Sequence, residues 1–301
     1  MKIVITGGKG QLANEFKTIL TTGEAEIAKC PIDITKCNTI YVDVDELDIT
    51  DLDKVNEFTL REKPDVIINC AAFTNVDGCE SNKDAAFKVN AIGARNLAIA
   101  AEKVGAKLVH VSTDYVFSGV GSVPLAEYDV TIPASTYGAT KLMGENYVRE
   151  LCSKYYIVRT AWLYGYVGKN FVYTMMNLGK TKDSIKVVND QRGNPTNAND
   201  LAYHILKLIG TEEYGVYHCT GEGECSWYDF ASRIIELSGG KCKVNSCTSE
   251  EYSKQYPNAA KRPEYSSLDN MMLRATVGNE MRNWEDAIEC FIKNVKSKEQ
   301  C

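Results

Sequence analysis

The chain has no run of the roughly 18 consecutive apolar residues that a membrane span needs. It carries no positive excess: its net charge of -6 argues for solubility and against nucleic acid or an anionic membrane as partner. Met1 runs straight into the strand-like Lys2-Ile3-Val4-Ile5-Thr6, which leaves no room for a signal peptide, so the expectation is a cytoplasmic chain. Internal repeats and low-complexity segments are missing. Eleven cysteines are present, but none form a C-x-x-C pair, and no histidine stands at zinc spacing from them. They read as free thiols: Cys70 as a small hydrophobe in an apolar strand, Cys30 and Cys37 flanking a loop, Cys301 terminal. No metal site is expected.

What is present is the composition of a globular protein with a sizeable core, 44% hydrophobic and 25% charged over 301 residues. The first half alternates short apolar strands with helical stretches. Strands are expected at Lys2 to Thr6, Thr39 to Asp43, Val66 to Ala71, Lys107 to Ser112 and Tyr156 to Thr160. Helices are expected near Gln11 to Leu20, Leu52 to Glu62, Lys83 to Val104 and Ser135 to Leu151. Val66-Ile67-Ile68 is apolar without alternation, as in a parallel sheet covered on both faces. The order predicts an α/β fold, a doubly wound parallel Rossmann sheet with right-handed crossovers.

The second half is richer in Gly, Pro, Asn and aromatics. It reads as a smaller, sequence-interleaved substrate lobe. The expected division is a dinucleotide-binding domain over 1–163 with a return segment 197–222, and a substrate-binding lobe over 164–196 and 223–301. Asp200 to Ile209 and Gly215 to Cys219 supply one more helix and strand of the main sheet.

After the first strand, Thr6-Gly7-Gly8-Lys9-Gly10-Gln11-Leu12-Ala13 has the spacing G-x-x-G-x-x-A. Gly7 permits a tight turn, and Gly10 lets the backbone approach a pyrophosphate at a helix N-terminus, where free N–H groups favour anions. An acid at the end of the second strand should hold the adenosine ribose hydroxyls. Asp43 is the candidate and Asp45 its competitor; Asp43 lies farther past Gly10 than the usual ~20 residues, with Cys30 to Asn38 read as an insertion. Asp48 and Ile49 bracket the adenine, and Ala71-Ala72 ends a strand beside the cofactor.

Tyr137-Gly138-Ala139-Thr140-Lys141 is a Y-x-x-x-K spacing in a predicted helix, and positions i and i+4 share a face. Carbonyl reduction needs a proton donor for the oxygen, and a nearby cation should lower the phenol pKa. Ser112-Thr113 ends the preceding strand and brings a third hydroxyl to the same sheet edge, where Thr113 can polarise a carbonyl. His110, inside an apolar strand, reads as a core histidine; His204 and His218 receive no catalytic role.

Together these residues resemble the dTDP-4-dehydrorhamnose reductases of the extended short-chain dehydrogenase/reductase superfamily. The resemblance runs through most of the chain. It is carried by TGGKGQLA from Thr6, NCAAFTNVDGCE from Asn69, STDYVFSG from Ser112 and YGATKLMGE from Tyr137. RTAWLYG from Arg159, NFVYTMM from Asn170, DQRGNPT from Asp190 and RPEYSSL from Arg262 continue it. The resemblance implies reduction of the 4-keto group of a nucleotide-linked deoxysugar, with Thr113, Tyr137 and Lys141 as catalytic triad. It implies cofactor contacts at Gly10, Gln11, Leu12, Asp43, Asp48, Ile49, Ala72, Phe73, Thr74, Tyr137 and Lys141. Val76, Thr113, Asp114 and Trp162 match positions near the deoxysugar. Ser118 and Ala13 depart from the family pattern without touching the chemistry. Some relatives use a metal at a dimer interface; none is expected here, and a homodimer is the candidate assembly.

Asp43-Val44-Asp45-Glu46 lacks the basic residue that many family members place after the acid. The expected cofactor is NADH, with NADPH second. Lys29 or Lys36, folding back from the insertion, would supply the cation that Val44 does not. Lys261 and Arg262 are candidates for the substrate diphosphate. Two rival readings are a non-catalytic regulatory subunit, like that of methionine adenosyltransferase, and a nucleotide-sugar epimerase.

Overall fold

The computed structural model describes residues 1–256 and 260–299; Cys301 lies outside the described residues. Five of the six strands of its main sheet are β1 (Lys2–Thr6), β2 (Asn38–Val42), β3 (Val66–Asn69), β4 (Lys107–Thr113) and β5 (Tyr155–Thr160). A sixth strand, Gly215–His218, lies beyond β5, and the order is β2-β1-β3-β4-β5-Gly215–His218 with every pair parallel. The order reverses between β1 and β3, so the carboxyl ends of those strands open the crevice where such sheets bind ligands.

Alternate side chains explain the unbroken apolar runs. Ile3 and Ile5 face one core with Leu12 and Phe16 of α1 (Gln11–Thr22) and with Leu201 and Ile205 of the helix Ala198–Ile209. Val4, Ile67 and Leu108 face the other. They meet Val55 of α2 (Leu52–Glu62) and, past the short helices α3 (Val76–Ser81) and α4 (Lys83–Phe87), Leu97 of α5 (Ala94–Val104). Val148 of α6 (Thr136–Leu151) completes this face.

The helix expected over Lys83 to Val104 is interrupted: a turn of π-helix at Lys88–Gly93 joins α4 to α5. Asn90 in that turn is buried, accepts from the Phe73 N–H at 2.8 Å and donates to the Phe73 carbonyl at 3.2 Å. The extra residue in the turn re-aims a polar side chain toward the sheet edge. The strand expected to Ala71 ends at Asn69, whose carboxamide oxygen accepts from the Thr6 hydroxyl and the Ala71 N–H.

The helices Phe171–Thr181, Trp227–Ser238 and Trp284–Glu299 enclose a second core with Tyr164, Met175, Met176, Phe230, Ile234 and Phe291. Two parallel strands, Ser184–Val188 and Lys243–Cys247, edge it. Part of the segment 223–301 behaves differently from its neighbours, because Leu273 and Met281 pack into the main core. Among the described residues no helix is long and apolar enough to cross a membrane.

Candidate active site

One cavity of about 730 Å³ lies along the carboxyl edge of the sheet and continues to the second core. Gly7 turns the chain at its floor with φ +66°, and a Cβ there would stand 2.9 Å from the Ala71 nitrogen, so only glycine fits. The Gly10 N–H closes the turn on the Gly7 carbonyl at 2.9 Å. Helix α1 then starts at Gln11 with neither a side-chain cap nor an acid in its first turn. Its free N–H groups make an anion cradle of the kind a dinucleotide pyrophosphate occupies.

Gly7, Gly10, Gln11, Leu12, Asp43, Asp48, Ile49, Ala71, Ala72 and Thr74 all line the cavity. The Gln11 side-chain oxygen accepts from the Gly165 N–H and the Asn170 amide, both at 2.9 Å, which ties the glycine turn to the second lobe. Asp43 accepts from the Lys9 and Val44 N–H groups at 2.9 Å each. Phe73 turns away from the cavity and packs with Cys79, Ala86 and Tyr137. The insertion enters β2 from the amino edge, where the Met1 ammonium donates to the Lys36 carbonyl and the Cys30 N–H reaches Gly23. Lys36 pairs there with Asp33 at 2.9 Å, so neither it nor Lys29 stands at the Asp43 end. The cation that does is Lys9, whose ammonium meets Asp45 at 2.6 Å.

Thr113, Asp114, Tyr137, Lys141 and Trp162 line the same cavity with Val76. The Thr113 hydroxyl donates to Asp114 at 2.8 Å and accepts from the Tyr115 N–H at 3.2 Å, and it neighbours the Tyr137 phenol. Burial pushes the Tyr137 phenol above its ordinary range, and the neighbouring Thr113 hydroxyl offsets part of this. Tyr137 therefore keeps its proton at neutral pH, as an acid awaiting a carbonyl requires. The expected pairing with Lys141 takes a different form in the free protein: the Lys141 ammonium donates to the Val111 carbonyl at 2.6 Å. Burial lowers Lys141 to about 8, with Glu145 acting in the opposite sense. Burial raises Asp114 to about 6, and one of its carboxylate oxygens has no partner.

Trp162 adopts a left-handed φ of +48°. Its indole stacks on Trp227 at 3.5 Å between centroids and 7° between planes, and a Cβ at Gly193 would lie 2.7 Å from it. Both contacts hold the ring against its unfavourable backbone. Arg262 reaches the cavity and bonds Asp77 and Tyr115; Lys261 is exposed and does not line it. His110, His204 and His218 are buried, and among the described residues no cluster of His, Cys, Asp or Glu is placed to hold a metal. Sequence reasoning missed four contributors: Asn90, Trp227, Lys9 and the cavity-facing position of Cys70. Asn90 had a signal, an amide set between the apolar Val89 and Ala91 of a helical stretch.

A phenol, a hydroxyl and an ammonium gathered beside an anion cradle on a doubly wound sheet define an oxidoreductase of the extended short-chain dehydrogenase/reductase class. Residues 1–297 match the family described as RmlD substrate binding domain, and the chain belongs to that family. It is similar to the crystal structure of a dTDP-4-dehydrorhamnose reductase from Clostridium acetobutylicum ATCC 824. That similarity is 50% identity and a TM-score of 0.91, over 98% of this chain and 100% of the other. The same enzyme from Bacillus anthracis str. Ames, solved in complex with NADP, is 41% identical with a TM-score of 0.89, over 97% of this chain and 99% of that one. The spore coat polysaccharide biosynthesis protein SpsK of Bacillus subtilis (strain 168) is 38% identical over 98% of each chain.

Proposed function

We propose that the chain reduces the 4-keto group of a dTDP-linked 6-deoxysugar, dTDP-4-dehydro-L-rhamnose to dTDP-L-rhamnose, with NADH preferred over NADPH. The observation that carries this reading is a single one: Thr113, Tyr137 and Lys141 share one cavity with the glycine turn and Asp43. The reduced nicotinamide supplies the hydride for the carbonyl carbon. Tyr137 delivers its proton to the carbonyl oxygen, and the Thr113 hydroxyl, lining the same cavity, orients that oxygen. Once the phenolate forms, Lys141, freed from the Val111 carbonyl, stabilises it and holds the nicotinamide ribose. Asp114, Trp162 and Val76 seat the sugar, and Arg262 meets the diphosphate. Asp43 accepts from the ribose hydroxyls, and its charge repels an added 2′-phosphate. The reading carries with it the division into a dinucleotide-binding domain and a substrate lobe, a cytoplasmic location and a homodimer.

The test is a panel of nucleotide-linked 4-keto-6-deoxysugars with purified protein, followed by loss of NADH absorbance. Oxidation stoichiometric with sugar, and fastest with the dTDP-linked substrate, is the expected result. A cofactor retained through turnover without net oxidation would assign an epimerase instead. Binding without any turnover would assign a regulatory role. A clear NADPH advantage in kcat/KM at fixed ionic strength would overturn the part given to Asp43.

A further inference from the structure

Helix α6 carries Tyr137 in its first turn, and that turn holds no acid of its own. The N-cap is local: the Ser135 hydroxyl oxygen accepts from the Gly138 N–H at 3.2 Å. The Thr136 N–H is satisfied from a distant part of the chain. One carboxylate oxygen of Glu80, on α3, accepts from it at 2.7 Å, and the other accepts from the Thr136 hydroxyl, also at 2.7 Å. The contact satisfies a donor that the helix cannot and sets a negative charge at the positive end of the helix dipole. Two bonds to one residue fix orientation as well as distance.

Helix α3 is itself seated firmly. Asn75 caps it by accepting from the Gly78 N–H at 2.9 Å, and the Cys79 thiol donates to the Phe73 carbonyl at 3.6 Å. Cys79, next to Glu80, is fully buried and packs with Tyr137 and Phe73. At the other end of α3, Asp77 accepts from the Ala260 N–H at 2.9 Å and from Arg262. This short helix therefore spans from the segment that bears Arg262 to the turn that bears Tyr137, and Glu80 makes the polar contact at the Tyr137 end.

We propose that Glu80 is a positioning residue for the reduction: by anchoring the first turn of α6 at Thr136, it holds the Tyr137 hydroxyl where it protonates the carbonyl oxygen. The inference rests on the reading of Tyr137 as proton donor. A helix end without its anchor frays, and here the fraying turn is the one with the phenol. Lys141 lies a turn deeper, with its ammonium on the Val111 carbonyl, and the glycine turn is elsewhere. Loss of Glu80 therefore falls on proton delivery and spares cofactor binding. Glu80 is exposed and Thr136 half-buried, so water replaces the lost bonds and the fold survives.

The experiment pairs steady-state kinetics on a dTDP-linked 4-keto-6-deoxysugar with fluorescence titration of NADH, on the full chain. Glu80→Ala should lower kcat by about ten- to hundredfold, the scale of a displacement near 1 Å at a reacting group, and leave the Kd for NADH within about twofold. The solvent deuterium isotope effect on kcat should grow, because proton delivery becomes slower. Glu80→Gln, whose carboxamide can still accept from the Thr136 N–H and meet its hydroxyl, should recover kcat to within about threefold of wild type. Thr136→Val, which removes the hydroxyl but keeps the N–H, should lose part of the rate, and Glu80→Ala with Thr136→Val should be no worse than Glu80→Ala alone. A folded Glu80→Ala protein with wild-type kcat would overturn the assignment. So would a loss that Glu80→Gln does not recover, or one matched by an equal loss of NADH affinity. Tyr137→Phe, assayed alongside, separates the two readings: an inactive Phe variant beside a fully active Glu80→Ala removes Glu80 only, whereas an active Phe variant removes the proton donor and the positioning role with it.

Discussion

Tyr137 and Lys141 sit four residues apart on α6 and face the cavity, yet their environments differ from what the spacing suggests. Burial holds the phenol protonated, and the ammonium is parked on a backbone carbonyl. In Tyr137→Phe only the proton is lost, so kcat should drop by about 100- to 10,000-fold while cofactor affinity stays near wild type. Turnover comparable to wild type would remove Tyr137 from the role. Lys141 titrates at about 8 in the free protein, so kcat/KM, which reports the free enzyme, should decline as pH rises through that value. Lys141→Met should abolish that limb along with most activity, and a limb that survives would belong to another group. Asp114 makes a stability statement as well. Its folded value of about 6 lies above the ordinary 3.8, so stability present below pH 3.8 is lost as pH rises through about 6. A shift of roughly two units corresponds to about 3 kcal/mol for this fully buried carboxyl. Asp114→Asn keeps an acceptor for Thr113 and cannot ionise. Thermal unfolding should find it more stable than wild type at pH 7.5, with the two converging near pH 4; equal stability at both pH values would contradict the buried charge.

At the level of elements, α6 is brought against the π-helical turn and the short turn Asp114–Val116 so closely that Gly144 and Gly138 have no room for a methyl group. A Cβ at Gly144 would stand 2.4 Å from the Asn90 carbonyl, and one at Gly138 2.0 Å from the Tyr115 carbonyl. Gly144→Ala must therefore separate α6 from the turn. Overpacking of this kind typically costs about 1–3 kcal/mol, and the displaced helix carries Tyr137 and Lys141 with it. Denaturant unfolding should show the loss, and kcat should fall with it even where the protein remains folded. Unchanged activity in a folded Gly144→Ala protein would show that the helix position is not what places the phenol. The interrupted helix has the same logic: Asn90 clamps Phe73 because the extra residue turns it inward, and Phe73 in turn packs under Tyr137.

Across the whole molecule, the two cores are joined by a polar network. Arg282 donates to Asp200 at 2.7 Å and to Glu26 at 2.6 Å, and Glu26 also meets Asn197, Asn294 and the Tyr166 hydroxyl. Burial raises Asp200, and Arg282 opposes it. Arg282→Met would leave two carboxylates without their cation, a change worth about 3–5 kcal/mol in buried pairs. A matching fall in unfolding free energy is expected, and a loss below about 1 kcal/mol would reduce the network to an exposed-pair contribution.

The parts of this protein legible in its sequence are those with a local cause. Apolar runs such as Val66-Ile67-Ile68 define buried parallel strands, Gly7 meets a positive-φ requirement, and Tyr137 and Lys141 share a helix face through their spacing alone. The α/β doubly wound sheet and the membership of its reductase family follow from such local signals. The tertiary structure decided what depends on elements meeting from distant parts of the chain. Trp162 finds Trp227, Lys141 finds the Val111 carbonyl, and Leu273 and Met281 return to the main core. It also replaced Lys29 and Lys36 with Lys9 as the cation beside Asp43, because a loop entering β2 at its amino edge cannot reach the carboxyl edge. These contacts have no periodicity of their own; strand order, helix crossing and the direction of entry into the sheet create them, and those are properties of the packed chain.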